Sequence, residues 1–176
     1  ANSITHGLGI IFGIVALVVL LISSINKKDA ISTVAFSIYG ACLIIMYLSS
    51  TLYHSVKSDK IKKILRVFDH SSIYLFIAGT YTPIALLTLR GKLRIGAMIA
   101  IWSIAIFGVI FKISIFGKFD KYKAASLAIY VGMGWLTVFT IKPIIEMTSW
   151  SFFLWILGGG IVYTIGTIFY SNKKIP

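Results

Sequence analysis

Acid is what this sequence lacks most. Five Asp and Glu stand against 17 Lys and Arg in 176 residues, a net charge of +12. Charged residues of both signs make up only 12%, about half the usual share of a soluble domain. A single cysteine, Cys42, excludes an intramolecular disulfide framework and a Cys-rich zinc site. No phosphate-cradling loop, Ser nucleophile elbow or His-Glu-x-x-His helix occurs, so the enzyme classes built on those motifs find no support. Apolar residues, by contrast, reach 58%, with a mean hydropathy of +0.94. That excludes a disordered chain. The apolar runs are also too long for soluble helices. A pI near 9.9 would fit a nucleic-acid partner in a soluble protein. Here the basic residues sit between apolar runs, so they read as membrane-flanking loops and no nucleic-acid partner is expected.

A membrane-spanning helix needs about 20 apolar residues. Six candidates satisfy this: Ile4–Ile25, Ala30–His54, Asp69–Leu89, Ile95–Ile115, Ala124–Ile141 and Ser149–Tyr170. The connections are short and polar or basic, at Asn26–Asp29, Lys57–Arg66, Arg90–Arg94, Gly117–Lys123 and Lys142–Thr148. Lys112 interrupts the fourth span and is expected near an interface, its ammonium snorkelling to water. The first span has no basic lead-in and no small-residue cleavage site, so it reads as a retained helix rather than a signal peptide. The reading is therefore an all-α membrane protein in one integral domain over residues 1–176. Eleven Lys and Arg lie on the side where the chain starts and six on the other, which places the N-terminus in the cytoplasm. The chain opens at Ala1 without Met and stops at Lys173-Lys174-Ile175-Pro176. A further, seventh helix is expected to follow.

Ionisable side chains inside a span are costly and tend to mark function. Apart from Lys112 there are four: His6 in the first span, His54 ending the second, and Asp69 and His70 opening the third. The start of an odd span and the end of an even one lie on the same side, so all four converge at one end of the bundle, and they include every histidine of the chain. Ser50 shares a helix face with His54, and Asn2 one with His6, because residues four apart align. Asp69 and His70 are neighbours about 100° apart on a helix. On that spacing only one faces the site, and the polar companions Ser72 and Thr80 favour Asp69, with His70 on the face of Tyr74 and Tyr81. Asp69 at a helix start would also gain from the macrodipole. Imidazoles beside a carboxylate suit a metal. His54 is the firmest ligand, with Asp69, His6 and His70 as partners. The bland reading, interfacial histidines and a dipole-stabilised Asp, has about equal weight. Gly7, Gly9 and Gly13 follow no strand and lie inside a span, so they serve close helix packing rather than a dinucleotide. Pro83, after Thr80-Tyr81-Thr82, is expected to kink the third span.

These residues resemble a known family. Asn2-Ser3-Ile4-Thr5-His6-Gly7, Ser50-Thr51-Leu52-Tyr53-His54, and Asp69-His70 followed by Ile77-Ala78-Gly79-Thr80-Tyr81-Thr82-Pro83 resemble three motifs of the hemolysin III family, the bacterial branch of the progestin and adipoQ receptor superfamily. The resemblance runs over essentially the whole chain. It implies a seven-helix bundle in the bacterial inner membrane, with a zinc near the cytoplasmic face. It implies His54 as a direct zinc ligand, Ser50 as a hydrogen-bonding support, and Asp69 acting on zinc through water. Asn2, His6 and His70 would surround that centre. Two further ligands would come from a His-x-x-x-His motif in the seventh helix, beyond Pro176. The acidic residue that precedes the first motif in the family is absent here.

The resemblance implies a zinc-dependent amide hydrolase with a membrane lipid as substrate and a part in lipid homeostasis. On that reading Asp69 is the general base and Ser50 orients the site. A receptor or sensor with a structural zinc is the alternative. A cytolysin, as the family label says, is a third reading, though every span looks constitutive. A transporter is disfavoured because polar groups near the bilayer midplane are scarce.

Overall fold

The computed structural model describes residues 2–171, with side chains for residues 3–169. The chain runs α1 (Asn2–Asn26), α2 (Ala30–Ser55), α3 (Asp59–Thr88), α4 (Gly91–Ser114), α5 (Lys123–Trp135), a 3-10 segment (Leu136–Thr140), α6 (Ile141–Met147) and α7 (Trp150–Ser171). No strand occurs among the described residues. Six stretches are long and apolar enough to cross a membrane, with α5 through α6 counting as one. The protein is an all-α, multi-pass membrane protein.

The first hairpin turns on three residues. Lys28 adopts a left-handed φ of 51°, and Asp29 caps α2 by accepting from the Ser32 amide at 3.0 Å and from the Ser32 hydroxyl. The Ser32 hydroxyl, then its amide, hold the Asp29 carboxyl below its ordinary range.

α3 starts ten residues before the expected span. Nothing between Lys57 and Arg66 breaks a helix, and Ile61, Ile64 and Leu65 recur at helical spacing among the lysines. At 30 residues the helix is roughly 45 Å long, against a hydrocarbon core of about 30 Å, so its basic first turns extend past the apolar layer. Asp59, not Asp69, occupies the first turn. The macrodipole argument for Asp69 therefore fails.

The fifth span is broken. A continuous helix would press the Pro143 ring against the Phe139 carbonyl. The 3-10 segment intervenes, and Pro143 falls in the first turn of α6, where no intrahelical N–H is required. Pro83 sits inside α3. The nearby hydroxyls of Thr80 and Thr82 donate one turn back, to the Phe76 and Ala78 carbonyls, each at 2.8 Å.

α3 is the central helix. Half of its most apolar window is buried, against 11% in α1 and 6% in α7. Tyr74, Ala78, Tyr81 and Ala85 form its buried stripe and meet Ile101 and Ala105 of α4, Tyr130 and Met133 of α5, and Ile144 of α6. Thr80 is exposed, so the polar face expected through Asp69, Ser72 and Thr80 does not continue inward. Trp102 and Trp135 tie helices together through hydrogen bonds to Thr82 and Thr164, while Trp150 and Trp155 are exposed.

Close approach of α3 and α4 depends on Gly108. A Cβ there would stand 2.4 Å from the Tyr74 ring, and Tyr74 is fully buried. Gly108→Val is expected to lower stability by about 1–3 kcal/mol through overpacking. Gly96→Val, where a Cβ meets nothing within 4 Å, is the control. Equal thermal midpoints for the two variants in detergent would contradict this packing.

Candidate functional site

Five helices surround an open cavity of about 450 Å³ at the end of the bundle where α1 begins. α1 contributes His6, α2 contributes Met46, Tyr47, Ser50 and His54, and α3 contributes Asp69, His70 and Ile73. Leu127 and Tyr130 of α5 and Tyr163, Gly166 and Thr167 of α7 complete it. The volume suits a ligand, and most of the wall is apolar, with the His and Asp side chains gathered together.

α1 reaches the site because Gly9 lets it settle on Tyr47, where a Cβ would come within 2.5 Å of the ring. One turn earlier, His6 Nδ1 and Ser50 Oγ share a hydrogen bond of 2.7 Å. The His6 ring meets those of His54 and Tyr47 edge-on, at centroid distances of 5.7 and 6.1 Å. Ser50 is buried and His54 exposed. A buried bond from Ser49 Oγ to Ser72 Oγ, 2.9 Å, pins α2 to α3 beside the site.

Asp69 and His70 both line the cavity. Helical spacing predicts that only one of the two faces the site, and the structure places both on it. Helical spacing separates their Cβ atoms, but the His70 ring folds back one turn. His70 Nδ1 lies 2.8 Å from the Arg66 carbonyl oxygen and 3.5 Å from Asp69 Oδ2. A carbonyl only accepts, so Nδ1 carries a hydrogen in this contact.

A second cavity, of only about 20 Å³, adjoins the first and is lined by residues including Arg66, Lys112, Phe119, Asp120 and Ser126. His70, Leu127 and Tyr130 belong to both walls. Lys112 also departs from the expectation of a water-facing ammonium. It does not snorkel. It is 2% exposed, and its Nζ donates to Ser126 Oγ at 2.7 Å. Ser126, across from it on α5, receives the buried ammonium.

Sequence reasoning missed Tyr130, Tyr163 and Thr167. Tyr130 donates its hydroxyl to the His70 carbonyl at 2.7 Å, and Thr167 donates to the Tyr163 carbonyl at 2.9 Å. The available signal was spacing: Ser126 with Tyr130, and Tyr163 with Thr167, are polar pairs four apart in otherwise apolar spans. The Asn2 side chain lies outside those described, as do Lys173 and Lys174.

Zinc in a catalytic setting takes three protein ligands. Among the described residues no three His, Cys, Asp or Glu are grouped closely enough to hold a metal ion. The donor chemistry on this cavity, imidazole beside carboxylate, matches part of a zinc site and falls short of a whole one.

Fold and site together define a multi-pass helical membrane protein with a polar cluster at one end of an apolar cavity. The chain matches the family model described as Haemolysin-III related over residues 1–176, and it belongs to that family. Hemolysin-3 of Bacillus cereus is 46% identical over 176 residues, all of this chain and 79% of that protein. The Hemolysin-3 homolog of Bacillus subtilis (strain 168) is 44% identical over 176 residues, again all of this chain and 81% of that protein. More distant is the Monocyte to macrophage differentiation factor of Homo sapiens, 28% identical over 180 residues, 99% of this chain and 72% of that protein. No solved structure matches the chain.

Proposed function

We propose that the protein is a zinc-dependent lipid amide hydrolase of the bacterial inner membrane, with its N-terminus in the cytoplasm and a part in lipid homeostasis. The observation that carries this reading is the gathering of His6, Ser50, His54, Asp69 and His70 on one largely apolar cavity of about 450 Å³. The apolar wall suits an acyl chain, and the polar cluster suits the amide that joins the chain to its headgroup. The excess of Lys and Arg on the side where α1 begins supports the orientation.

On this reading His54 supplies one metal ligand, and the other two come from the His-x-x-x-His motif that the family resemblance implies. A zinc held there would supply Lewis acidity at the amide carbonyl and would lower the pKa of the attacking water toward about 7. Asp69 accepts a proton from the attacking water. Ser50 holds the His6 ring at 2.7 Å, which keeps α1 against the ligand face of α2. Water adds to the amide carbon, the C–N bond breaks, and the amine leaves with a proton to give fatty acid and free amine.

The relatives' name, Hemolysin-3, favours cell lysis as a second reading. One experiment separates the two. Full-length protein in phosphatidylcholine liposomes is given an N-acyl sphingoid substrate, and free fatty acid is measured with chelator and with restored zinc. Zinc-restored release is expected. Lysis of red cells without fatty acid release from zinc-replete protein would overturn the hydrolase reading.

A further inference from the structure

Lys112 is a buried ammonium without a direct ion pair among the described residues, although Asp120 lines the same small cavity. No carboxylate approaches its Nζ within 4.0 Å among the described residues. Its neighbours are the Ser126 hydroxyl and the rings of Phe119 and Tyr130, 5.6 and 5.9 Å from Nζ to centroid. Burying a charge this way is unfavourable unless a counter-charge is supplied. A second cation lies on the same ring: the Arg66 guanidinium stands 5.1 Å from the Phe119 centroid. Two like charges are thus held around one aromatic side chain in the wall of one small cavity, which Asp120 and Lys123 also line.

We infer that this cavity, between α3, α4 and α5, is a phosphate site. The cavity has room for about one water-sized atom, so a single phosphoryl oxygen reaches Lys112 and Ser126. The remaining oxygens stay at the mouth, where the Arg66 fork can grip two of them. Arg66 now pairs there with Asp120 at 2.9 Å, but Asp120 is 85% exposed. An exposed pair of this kind exchanges readily, so Asp120 holds the place that a phosphate takes. Depth agrees with the assignment. Lys112 lies in the last turn of α4, the end of a membrane-crossing stretch, and basic pockets between the ends of membrane helices are where anionic lipid headgroups bind. The phosphate can come from an anionic phospholipid headgroup or from free phosphate in the water phase.

The test uses full-length protein in neutral detergent. Native mass spectrometry counts bound phosphatidylglycerol against phosphatidylcholine, and thermal midpoints are read with and without inorganic phosphate. Lys112→Met keeps the length of the side chain and removes the charge. It is expected to weaken phosphatidylglycerol binding about 10-fold while the midpoint without ligand stays level. Arg66→Gln, on an accessible residue, repeats the test independently of core packing. Lys60→Gln, exposed on the same helix end, reports non-specific attraction and is expected to change little. Selective phosphatidylglycerol binding with no response to phosphate assigns the headgroup, and an equal response to phosphate assigns the free anion. Affinities unchanged in both Lys112→Met and Arg66→Gln, or lowered no more than in Lys60→Gln, overturn the site.

Discussion

Asp69→Asn is expected to lower amide turnover about 10²-fold or more, because the carboxylate that accepts the proton is gone while the shape of the side chain stays. The fold should survive. Asp69 is half-buried, and its resolved side-chain partner is His70, at 3.5 Å, so no helix contact depends on its charge. His70→Gln is the comparison that matters. Both side chains line the cavity, so position does not separate them, but chemistry does. His70 Nδ1–H is committed to the Arg66 carbonyl at 2.8 Å, and a Gln amide can take over that donation. A loss of about 10-fold or less is expected, the size seen when a supporting group is removed. Both variants are assayed together, with thermal midpoints beside turnover. Abolished activity in His70→Gln with near-normal activity in Asp69→Asn would move the base to His70.

The second large effect concerns metal. His54→Ala in the full-length protein is expected to reduce bound zinc from about one per chain to a trace, since three protein ligands are the working minimum. His6→Ala should cost less, about 10–100-fold in affinity, because His6 is engaged with Ser50 and stands beside His54 rather than in its place. Elemental analysis after dialysis against a weak chelator separates the two. Zinc retained in full by His54→Ala would remove His54 from the ligand set and with it the first premise of the hydrolase reading.

The spans were legible in the sequence because a bilayer imposes both length and hydropathy, and each of the six crossing stretches overlaps one read from the apolar runs. Convergence of His6, His54, Asp69 and His70 followed from parity alone. What stayed hidden has physical causes. Hydropathy marks where apolar residues end, not where hydrogen bonding ends, so the lysine-rich turns from Asp59 read as a loop although they are helix. Helical spacing places Cβ atoms, but a His side chain reaches back a full turn, so Asp69 and His70 meet in spite of their 100°. Lys112 was assigned to water because a lysine in an apolar run ordinarily escapes to it. Its burial depends on Ser126 of another helix, which is a tertiary fact.

The wall of His70, Leu127 and Tyr130 stands between two cavities. On the phosphate reading, an occupant of the small cavity would touch the His70 ring and Tyr130, whose hydroxyl donates to the His70 carbonyl, and would be linked through them to the large cavity. Thermodynamic linkage makes the effect reciprocal: a guest in the large cavity changes the affinity of the small one by the same factor. On that reading, affinity at the large cavity is expected to differ between lipid mixtures with and without anionic headgroups. The composition of the surrounding bilayer becomes a variable of the equilibrium, on the same footing as the concentration of the guest itself.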